Sequence, residues 1–309
     1  MGKIAFVFAG QGAQKTGMGK DLAENSKAAR EVFLKAEGVR EGTIEQCFYG
    51  AQEVLSETKN TQPCVYTVDL AAAAALKEQG IVADMVAGYS LGELAALAYA
   101  ETFSVEDGLK LVEKRGRFMQ TASEKCETGM AAILKLSDEI IEELCEGFNE
   151  VYPVNFNCNG QVTVAGDKEQ LAEFAQKAKD AGGLVRILQV SGGFHSPFMN
   201  EAAMEFEQVI EGEDMKSPAI PAFANRTSDM YPQEEEEIKR LLVEQITNPI
   251  RWKTLIENMI VQGVDTFVEV GPGTALTKMI TRISKEITML NVCDMETLHN
   301  AVERIRENG

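Results

Sequence analysis

Residues 85–100 read MVAGYSLGELAALAYA, a stretch that joins a short apolar segment to a run of helix-forming residues. Met85–Ala87 has the apolar character of a buried strand, and residues 93–100 favour a helix. The Gly-x-Ser-x-Gly pattern between them is typical of a nucleophile elbow, in which Ser90 projects from the top of a sheet. The helix that follows adds backbone N–H donors and a positive dipole end. We therefore expect a catalytic serine, rather than an ordinary Ser-Gly turn that caps a helix.

A serine nucleophile needs a base, and the chain contains only two histidines, His195 and His299. His299 lies in a charged amphipathic segment near the C-terminus, which is typical of a partly exposed surface helix. His195 follows two glycines in a loop after the strand-like residues 184–190. Loops at strand ends are where active-site residues concentrate. A structural loop histidine remains an alternative, but we expect His195 to act as the general base for Ser90.

The chain is strongly acidic, with a net charge of −18 over 309 residues. This charge argues against nucleic acid as a partner, and it would also repel an anionic substrate. Such a substrate would need a local basic site. The candidates are Lys114, Arg115 and Arg117, and a second cluster of Lys278, Arg282 and Lys285 on one predicted helix. A solvated helix face is the alternative for both clusters, and it is the preferred interpretation for the second.

The composition is that of an ordinary globular enzyme, with 45% hydrophobic and 25% charged residues. The first eight residues predict a buried strand instead of a signal peptide, and no apolar run is long enough to span a bilayer. The six cysteines are scattered without a Cys-x-x-Cys pair, at positions 47, 64, 126, 145, 158 and 293. We therefore predict a cytoplasmic protein with reduced cysteines, no metal site and no membrane segment.

The order of the predicted elements indicates an α/β fold. Strands are predicted at Ile4–Phe8, Met85–Ala87 and Thr266–Val270, with helices at Val65–Lys77 and from about Thr274. Alternation of this kind predicts a large hydrolase-like domain, whose mostly parallel sheet is covered by helices on both faces. Active residues then lie at the carboxyl ends of the strands, which is where Ser90 falls.

Residues 127–190 show a different order, β-α-β-β-α-β, with Asn159-Gly160 as a tight hairpin turn. This order is the ferredoxin-like arrangement, so we predict a small subdomain inserted here. The large α/β subdomain then comprises residues 1–126 and 191–309. Both connections lead towards Arg115 and His195, so a cleft between the two subdomains is the expected substrate site.

Six short motifs occur in a particular order along the chain. They are GQGAQ at 10–14, GYSLGE at 88–93, LVEKRGRFMQ at 111–120, FHS at 194–196, QITNP at 245–249 and VGPG at 270–273. With these motifs the chain resembles the malonyl-CoA:acyl carrier protein transacylases over essentially its whole length. Each motif alone is a weak signal, whereas six in this order, with a ferredoxin-like insert between the third and fourth, are very specific.

The resemblance implies a role for several residues. Ser90 would be acylated by malonyl, and His195 would be its base. The family's histidine is held by a main-chain carbonyl group rather than by a carboxylate, and Gln245 matches that position. The backbone N–H groups of Gln11 and Leu91 would form the oxyanion hole.

The resemblance also implies residues that select the substrate. Arg115 would bind the free carboxylate of the malonyl group, because a guanidinium can grip a carboxylate with two parallel hydrogen bonds. Phe194 would leave little room for a branch at the malonyl α-carbon, although a buried aromatic without a role in selectivity is an equal alternative. These enzymes usually have histidine before the serine, where this chain has Tyr89. Since a phenol does not titrate near neutral pH, no role in positioning Arg115 is carried over to Tyr89.

The glycine-rich loop at residues 10–12 also invites comparison with nucleotide-binding motifs. Lys15 stands where Gly-x-Gly-x-x-Gly requires its third glycine, and the Gly-Lys-Ser/Thr of a P-loop is missing. We reject both interpretations and expect no cofactor.

Together these features predict a soluble, monomeric, ping-pong acyltransferase that moves malonyl from malonyl-CoA to the phosphopantetheine thiol of holo acyl carrier protein, in fatty acid biosynthesis. A free-standing acyltransferase of a polyketide synthase is the nearest alternative, and the sequence does not separate the two. An acyl-thioester hydrolase could use the same Ser90 and His195, although a hydrolase of neutral acyl groups has no need of Arg115. A noncatalytic, carrier-binding relative is disfavoured by the presence of all three residues.

Overall fold

Two β-sheets organise the chain in the computed structural model, which describes residues 2–190 and 192–308. The strands are β1 (Lys3–Phe8), β2 (Met85–Gly88), β3 (Thr128–Leu134), β4 (Val151–Cys158), β5 (Gln161–Asp167), β6 (Leu184–Ile187), β7 (Ala222–Phe223), β8 (Val264–Val270) and β9 (Thr288–Val292).

Helices connect these strands and cover the sheets. They are α1 (Lys20–Asn25), α2 (Lys27–Val39), α3 (Thr43–Tyr49), α4 (Gln52–Leu55), α5 (Thr58–Glu78), α6 (Gly92–Tyr99), α7 (Val105–Lys125), α8 (Asp138–Glu146), α9 (Lys168–Asp180), α10 (Asn200–Ile210), α11 (Glu235–Thr247), α12 (Trp252–Val261), α13 (Ala275–Ile283) and α14 (Met295–Asn308), with a 3₁₀ turn at Pro197–Met199. No helix within the described ranges is long and apolar enough to cross a membrane.

The larger sheet has the strand order β7-β2-β1-β8-β9, and each of its pairings is parallel. Side chains alternate along the central strand, as the two-residue period of a strand requires. Phe6 and Phe8 pack into one core with α5, α6 and α7, whereas Ala5 and Val7 pack with α12 and α13 on the opposite face. The predicted α/β class, with a parallel sheet covered on both faces, is confirmed.

The smaller sheet is antiparallel, with the order β4-β5-β3-β6. Helices α8 and α9 join its strands in the β-α-β-β-α-β order of the ferredoxin-like fold. The predicted hairpin turn is present, with Gly160 at a φ of 67°. Ser137 accepts a hydrogen bond from the Ile140 N–H and so caps α8. The exact limits of the subdomains at 126/127 and 190/191 stay a prediction, and Ser191 lies outside the described residues.

Three local predictions were wrong. The helix predicted at residues 65–77 begins already at Thr58, because Pro63 lies inside α5 and does not mark its start. β6 ends at Ile187 instead of Val190, because the chain leaves the sheet after the Leu188 N–H donates to the Met130 carbonyl at 2.9 Å. Lys285 does not share a helix with Arg282, because Ser284 adopts an extended conformation that ends α13.

Candidate active site

Ser90 lies in the sharp turn between β2 and α6, with a φ of 57°. This left-handed conformation is costly for a residue other than glycine and is common at functional sites. The flanking glycines are needed because the main chain packs tightly here. A Cβ atom at Gly88 would overlap the main chain of Gly92, and one at Gly92 would overlap the Phe8 carbonyl oxygen. The turn therefore has the geometry of the predicted elbow.

His195 reaches Ser90 from a loop 105 residues away, with Nε2 2.8 Å from the serine Oγ. Its Nδ1 lies 2.8 Å from the main-chain oxygen of Gln245. Because a carbonyl oxygen can only accept a hydrogen bond, Nδ1 carries the proton and Nε2 is free to accept one from Ser90. Burial and the charge of Arg115 lower the pKa of His195 to about 3, against the hydrogen bond to Gln245. The imidazole is therefore neutral near pH 7, as a general base must be.

Arg115 is fully buried on α7 and contacts the same serine. Nη2 lies 3.3 Å from Ser90 Oγ and 2.7 Å from Gln245 Oε1, and Nη1 donates to Gln62 Oε1 at 2.7 Å. Burial lowers the pKa of Arg115 to about 10, and the charge of Glu93 opposes this shift. Nε has no hydrogen-bond partner, and no carboxylate of the described residues forms a salt bridge with the guanidinium. The site can therefore accept a carboxylate as a direct counter-charge.

Two backbone N–H groups near Ser90 are available to a ligand. Gln11 lines the same cleft as the serine, because the preceding Gly10 packs against the main chain of Tyr89. Leu91 directly follows the serine and is fully buried. Within the part of the chain that the structure describes, neither the Gln11 N–H nor the Leu91 N–H has an acceptor. Both groups could stabilise a negatively charged oxygen in a reaction intermediate.

A cleft of about 240 Å³ opens over Ser90, between the two subdomains. The large subdomain contributes Gln11, Phe194, His195 and Met279 to its walls, and the small subdomain contributes Met130, Asn155, Asn157 and Leu188. Phe194 is buried and stands beside the catalytic candidate His195. Apolar groups provide most of the exposed lining surface and polar side chains provide the rest, which is typical of a small-molecule site.

Asn225 belongs to the site although the sequence analysis did not single it out. Its Oδ1 accepts a hydrogen bond from the Ser90 N–H at 2.8 Å, and its Nδ2 donates to the Gly88 carbonyl at 2.7 Å. The residue follows β7, a strand of two residues that is too short to predict. If β7 had been predicted, a polar residue just after the carboxyl end of a parallel strand would have indicated that Asn225 belongs to the site.

Glu93 is the second buried residue that the sequence analysis left without a role. Its carboxylate accepts hydrogen bonds from Gln245 Nε2 at 2.6 Å and from the Asn225 N–H at 3.1 Å. Burial raises the pKa of Glu93 to about 7, although hydrogen bonds from Tyr231, Gln245 and Asn225 and the charge of Arg115 oppose this shift. The motif at 88–93 already contained this glutamate, so the signal was present.

Comparison with known proteins identifies the family. The family model of the acyl transferase domain matches residues 5–304. The chain is 36% identical to a malonyl CoA-acyl carrier protein transacylase of Bacillus subtilis, over 100% of this chain and 99% of that protein. It belongs to the malonyl-CoA:acyl carrier protein transacylase family. The resemblance stated from the six motifs is confirmed.

Solved structures of the transacylase family share the whole fold. A malonyl CoA-acyl carrier protein transacylase from Clostridium perfringens superposes with a TM-score of 0.95 at 35% identity, covering 99% of this chain and 98% of that one. The malonyl-transacylase PlMCAT, solved with the type II polyketide carrier protein AntF, gives a TM-score of 0.94 at 34% identity, covering 98% and 99%. The family fold therefore extends over both subdomains.

The basic residues predicted from the sequence to attract an anionic substrate lie in different places in this transacylase fold. Arg115 is buried at the site, whereas Arg117 is exposed and pairs with Glu113 at 2.8 Å. Arg282 lies at a surface groove next to the cleft, together with Lys135 and Arg186 of the small subdomain. We call these three residues the cationic groove. No acidic residue of the described chain forms a salt bridge with any of them, so their charge is available to an anionic partner.

Proposed function

We propose that this protein transfers a malonyl group from malonyl-CoA to the phosphopantetheine thiol of acyl carrier protein, through a malonyl ester of Ser90. The observation that carries the proposal is the position of the Ser90 hydroxyl. It lies 2.8 Å from a neutral imidazole and 3.3 Å from a buried guanidinium. The first group can remove its proton, and the second can hold an anionic acyl group beside it.

The first half-reaction follows from this arrangement. Ser90 Oγ attacks the thioester carbonyl carbon while its proton passes to His195 Nε2, and the Gln245 carbonyl holds the resulting imidazolium at Nδ1. The N–H groups of Gln11 and Leu91 stabilise the tetrahedral oxyanion. The C–S bond then breaks, and His195 returns the proton to the sulfur of CoA, leaving malonyl-Ser90.

The second half-reaction reverses the same steps with another thiol. The phosphopantetheine thiol loses its proton to His195 and attacks the ester carbonyl. The bond to Ser90 Oγ breaks, and the serine recovers its proton from the imidazolium. One base and one oxyanion hole thus serve both substrates. The mechanism is ping-pong because CoA leaves the malonyl-enzyme before the second thiol attacks it.

Arg115 explains why malonyl is the proposed acyl group. A buried guanidinium without a direct counter-charge gains most from a ligand that brings a carboxylate. Phe194 lines the cleft next to His195, which supports selection against a branched α-carbon. Water must also be kept from the acyl-serine, and an apolar cleft supports this.

The cationic groove supports an acidic carrier as the second substrate. Arg186 and Arg282 are exposed beside the cleft, in a chain with a net charge of −18. A local positive surface would attract and orient an acidic carrier protein that the overall field repels. PlMCAT, which shares this fold, was solved in complex with its carrier protein.

We propose fatty acid biosynthesis as the pathway. The alternative is transfer of malonyl to a polyketide carrier, and the observation behind it is the likeness to PlMCAT. The relative rates of transfer to the two kinds of carrier would separate them. The cytoplasmic location and the monomeric state stay predictions.

Intact-protein mass spectrometry tests the proposed function. Brief exposure to malonyl-CoA should add one malonyl group to the enzyme, and holo acyl carrier protein should then remove it. Ser90→Ala should give no adduct, since Ser90 is the hydroxyl that bonds the His195 imidazole among the described residues. An adduct that decays to free malonate equally fast with or without carrier would instead establish a hydrolase.

A further inference from the structure

Glu93 lies in the first turn of α6, three residues after Ser90, and is only 1% exposed. One carboxylate oxygen, Oε2, accepts a hydrogen bond from Gln245 Nε2 at 2.6 Å. The other, Oε1, accepts from the Asn225 N–H at 3.1 Å and from the Tyr231 hydroxyl. The carboxylate therefore joins α6 to two segments that are distant from it in sequence, residues 225–231 and α11, and none of these partners lines the cleft.

Two chains of hydrogen bonds, which we call branches, start at the Glu93 carboxylate. The first passes through Gln245 and reaches His195 and Arg115. Besides Glu93, Gln245 Nε2 donates to the Ser90 carbonyl at 2.8 Å, and Oε1 accepts from Arg115 at 2.7 Å. The main-chain oxygen of the same residue accepts from His195. Three partners fix the orientation of the Gln245 amide: Glu93 and the Ser90 carbonyl can only accept and therefore face Nε2, whereas Arg115 can only donate and therefore faces Oε1.

The second branch passes from Glu93 through Asn225 and reaches Ser90, the proposed nucleophile. The Asn225 N–H is held by Glu93, and its side chain bonds the main chain on both sides of the elbow, at the Ser90 N–H and the Gly88 carbonyl. Ser90 has a left-handed backbone conformation that the surrounding contacts must maintain.

We propose that Glu93 is a positioning residue, whose two carboxylate oxygens fix Gln245 and Asn225 and through them the geometry of Ser90, His195 and Arg115. The inference rests on the proposed role of Ser90 as nucleophile. A neutral amide cannot replace this carboxylate. In Glu93→Gln one amide group would have to face the donors of both branches, so the introduced NH₂ group would oppose a donor, either the NH₂ of Gln245 or the N–H of Asn225.

The test uses a fluorophosphonate probe, which labels an activated serine without any acyl-CoA. In Glu93→Gln the maximal rate of Ser90 labelling should fall by about tenfold or more, the cost of one misplaced hydrogen bond to a catalytic group. The probe concentration that gives the half-maximal rate should change little, because Glu93 does not contact the cleft. The rate of malonyl-Ser90 formation should fall in parallel.

Glu269→Gln is the matched control. Glu269 is also fully buried, and it accepts hydrogen bonds from the Leu276 and Thr277 N–H groups at the start of α13, neither of which bonds Ser90 or His195. This variant should lose thermal stability but be labelled at the wild-type rate. Equal slowing in both variants would reduce Glu93 to a structural residue and overturn the proposal.

Glu93→Asp provides a second variant that keeps the charge, in case the amide variant does not fold. The shorter side chain cannot reach Gln245 and Asn225 together, so labelling should again slow. Labelling of either folded Glu93 variant at the wild-type rate would overturn the proposal. Failure of the wild type to form a malonyl adduct would overturn the proposed function. The rates of fluorophosphonate labelling would still test the positioning role of Glu93, because the probe needs no acyl-CoA.

Discussion

The Tyr89 hydroxyl donates a hydrogen bond to Asn157 Oδ1 at 2.6 Å, and this contact joins the elbow of the large subdomain to the hairpin of the small one. Asn157 in turn donates to Thr163 Oγ1 at 3.2 Å on the neighbouring strand. The Tyr89 ring packs edge-on against Trp252, with 5.4 Å between ring centroids. Burial raises the pKa of Tyr89, so the phenol stays protonated and remains a donor. The tyrosine before the nucleophile therefore binds the two subdomains together instead of contacting Arg115.

Tyr89→Phe should destabilise the fold while leaving the chemistry largely intact. The ring contact with Trp252 is retained, but Asn157 Oδ1 loses its donor, so the free energy of unfolding should fall by about 1 kcal/mol. Urea unfolding measures this change. Tyr152→Phe is the control, since that hydroxyl bonds the Asn149 carbonyl at an exposed position. Equal stability of the Tyr89 variant and the wild type would show that the contact between subdomains contributes nothing.

Arg115→Ala should impair acylation by malonyl-CoA much more than acylation by acetyl-CoA. The loss of a buried partner for the malonyl carboxylate should raise the barrier by about 2 to 5 kcal/mol, whereas acetyl has no carboxylate to lose. The ratio of kcat/KM for the two thioesters is the measurement. Arg117→Ala, two residues away on the exposed side of α7, should leave this ratio unchanged. Equal losses on both thioesters would contradict the role of Arg115 as a carboxylate clamp.

Arg282→Glu should slow transfer of malonyl to the carrier protein while sparing acylation of Ser90. Charge reversal in the cationic groove would repel an acidic carrier, and the loss of rate should be about tenfold at low salt and smaller at high salt. Transfer from preformed malonyl-enzyme, followed at two ionic strengths, gives the result. Arg304→Glu makes the same change on α14, where Arg304 pairs with Glu307. Equal transfer rates in the two variants would show that Arg282 has no role in carrier binding and only belongs to a solvated helix face.

Asp69→Asn should stabilise the protein increasingly as the pH rises. Asp69 is fully buried on α5, and neither carboxyl oxygen has a hydrogen-bond partner among the described residues. Burial, with the nearby charge of Glu269, holds the pKa of Asp69 well above its usual range. The folded protein therefore keeps a proton that the unfolded chain releases above about pH 4, so the wild type loses stability as the pH increases.

The stability advantage of the Asp69→Asn variant over the wild type should grow by up to about 1.4 kcal/mol per pH unit above about pH 4, over the range in which Asp69 stays protonated in the folded protein and ionises in the unfolded chain. Thermal and urea unfolding at several pH values measure it. Asp214→Asn, at an exposed position, should follow the wild type. Parallel stability curves for the Asp69 variant and the wild type would mean that the buried carboxyl is ionised in the fold.

Local patterns were enough to predict the elements and their order. The elbow, the strands β1, β2 and β8, and the ferredoxin-like insert each depend on apolar periodicity, on glycines and on caps within a few residues of one another. His195 could be proposed as the base of Ser90 because the chain has only one other histidine. The family resemblance, which depends on the order of six motifs, was equally open to prediction.

The connections inside the site could not be predicted in this way. Asn225 and Gln245 bond Ser90 across 135 and 155 residues of sequence, and Glu93 bonds both of them. Such contacts depend on how α11, β7 and α6 pack around one sheet, and no local pattern records that packing. The amino-acid order alone thus predicted the fold class and the family, which are confirmed, and proposed the reactive side chains. Their mutual orientation came from the folded chain, because long-range packing sets the distances between them. The same packing sets their desolvation, which lowers the pKa of His195 far enough to keep the imidazole neutral, whereas Arg115 remains charged despite its burial.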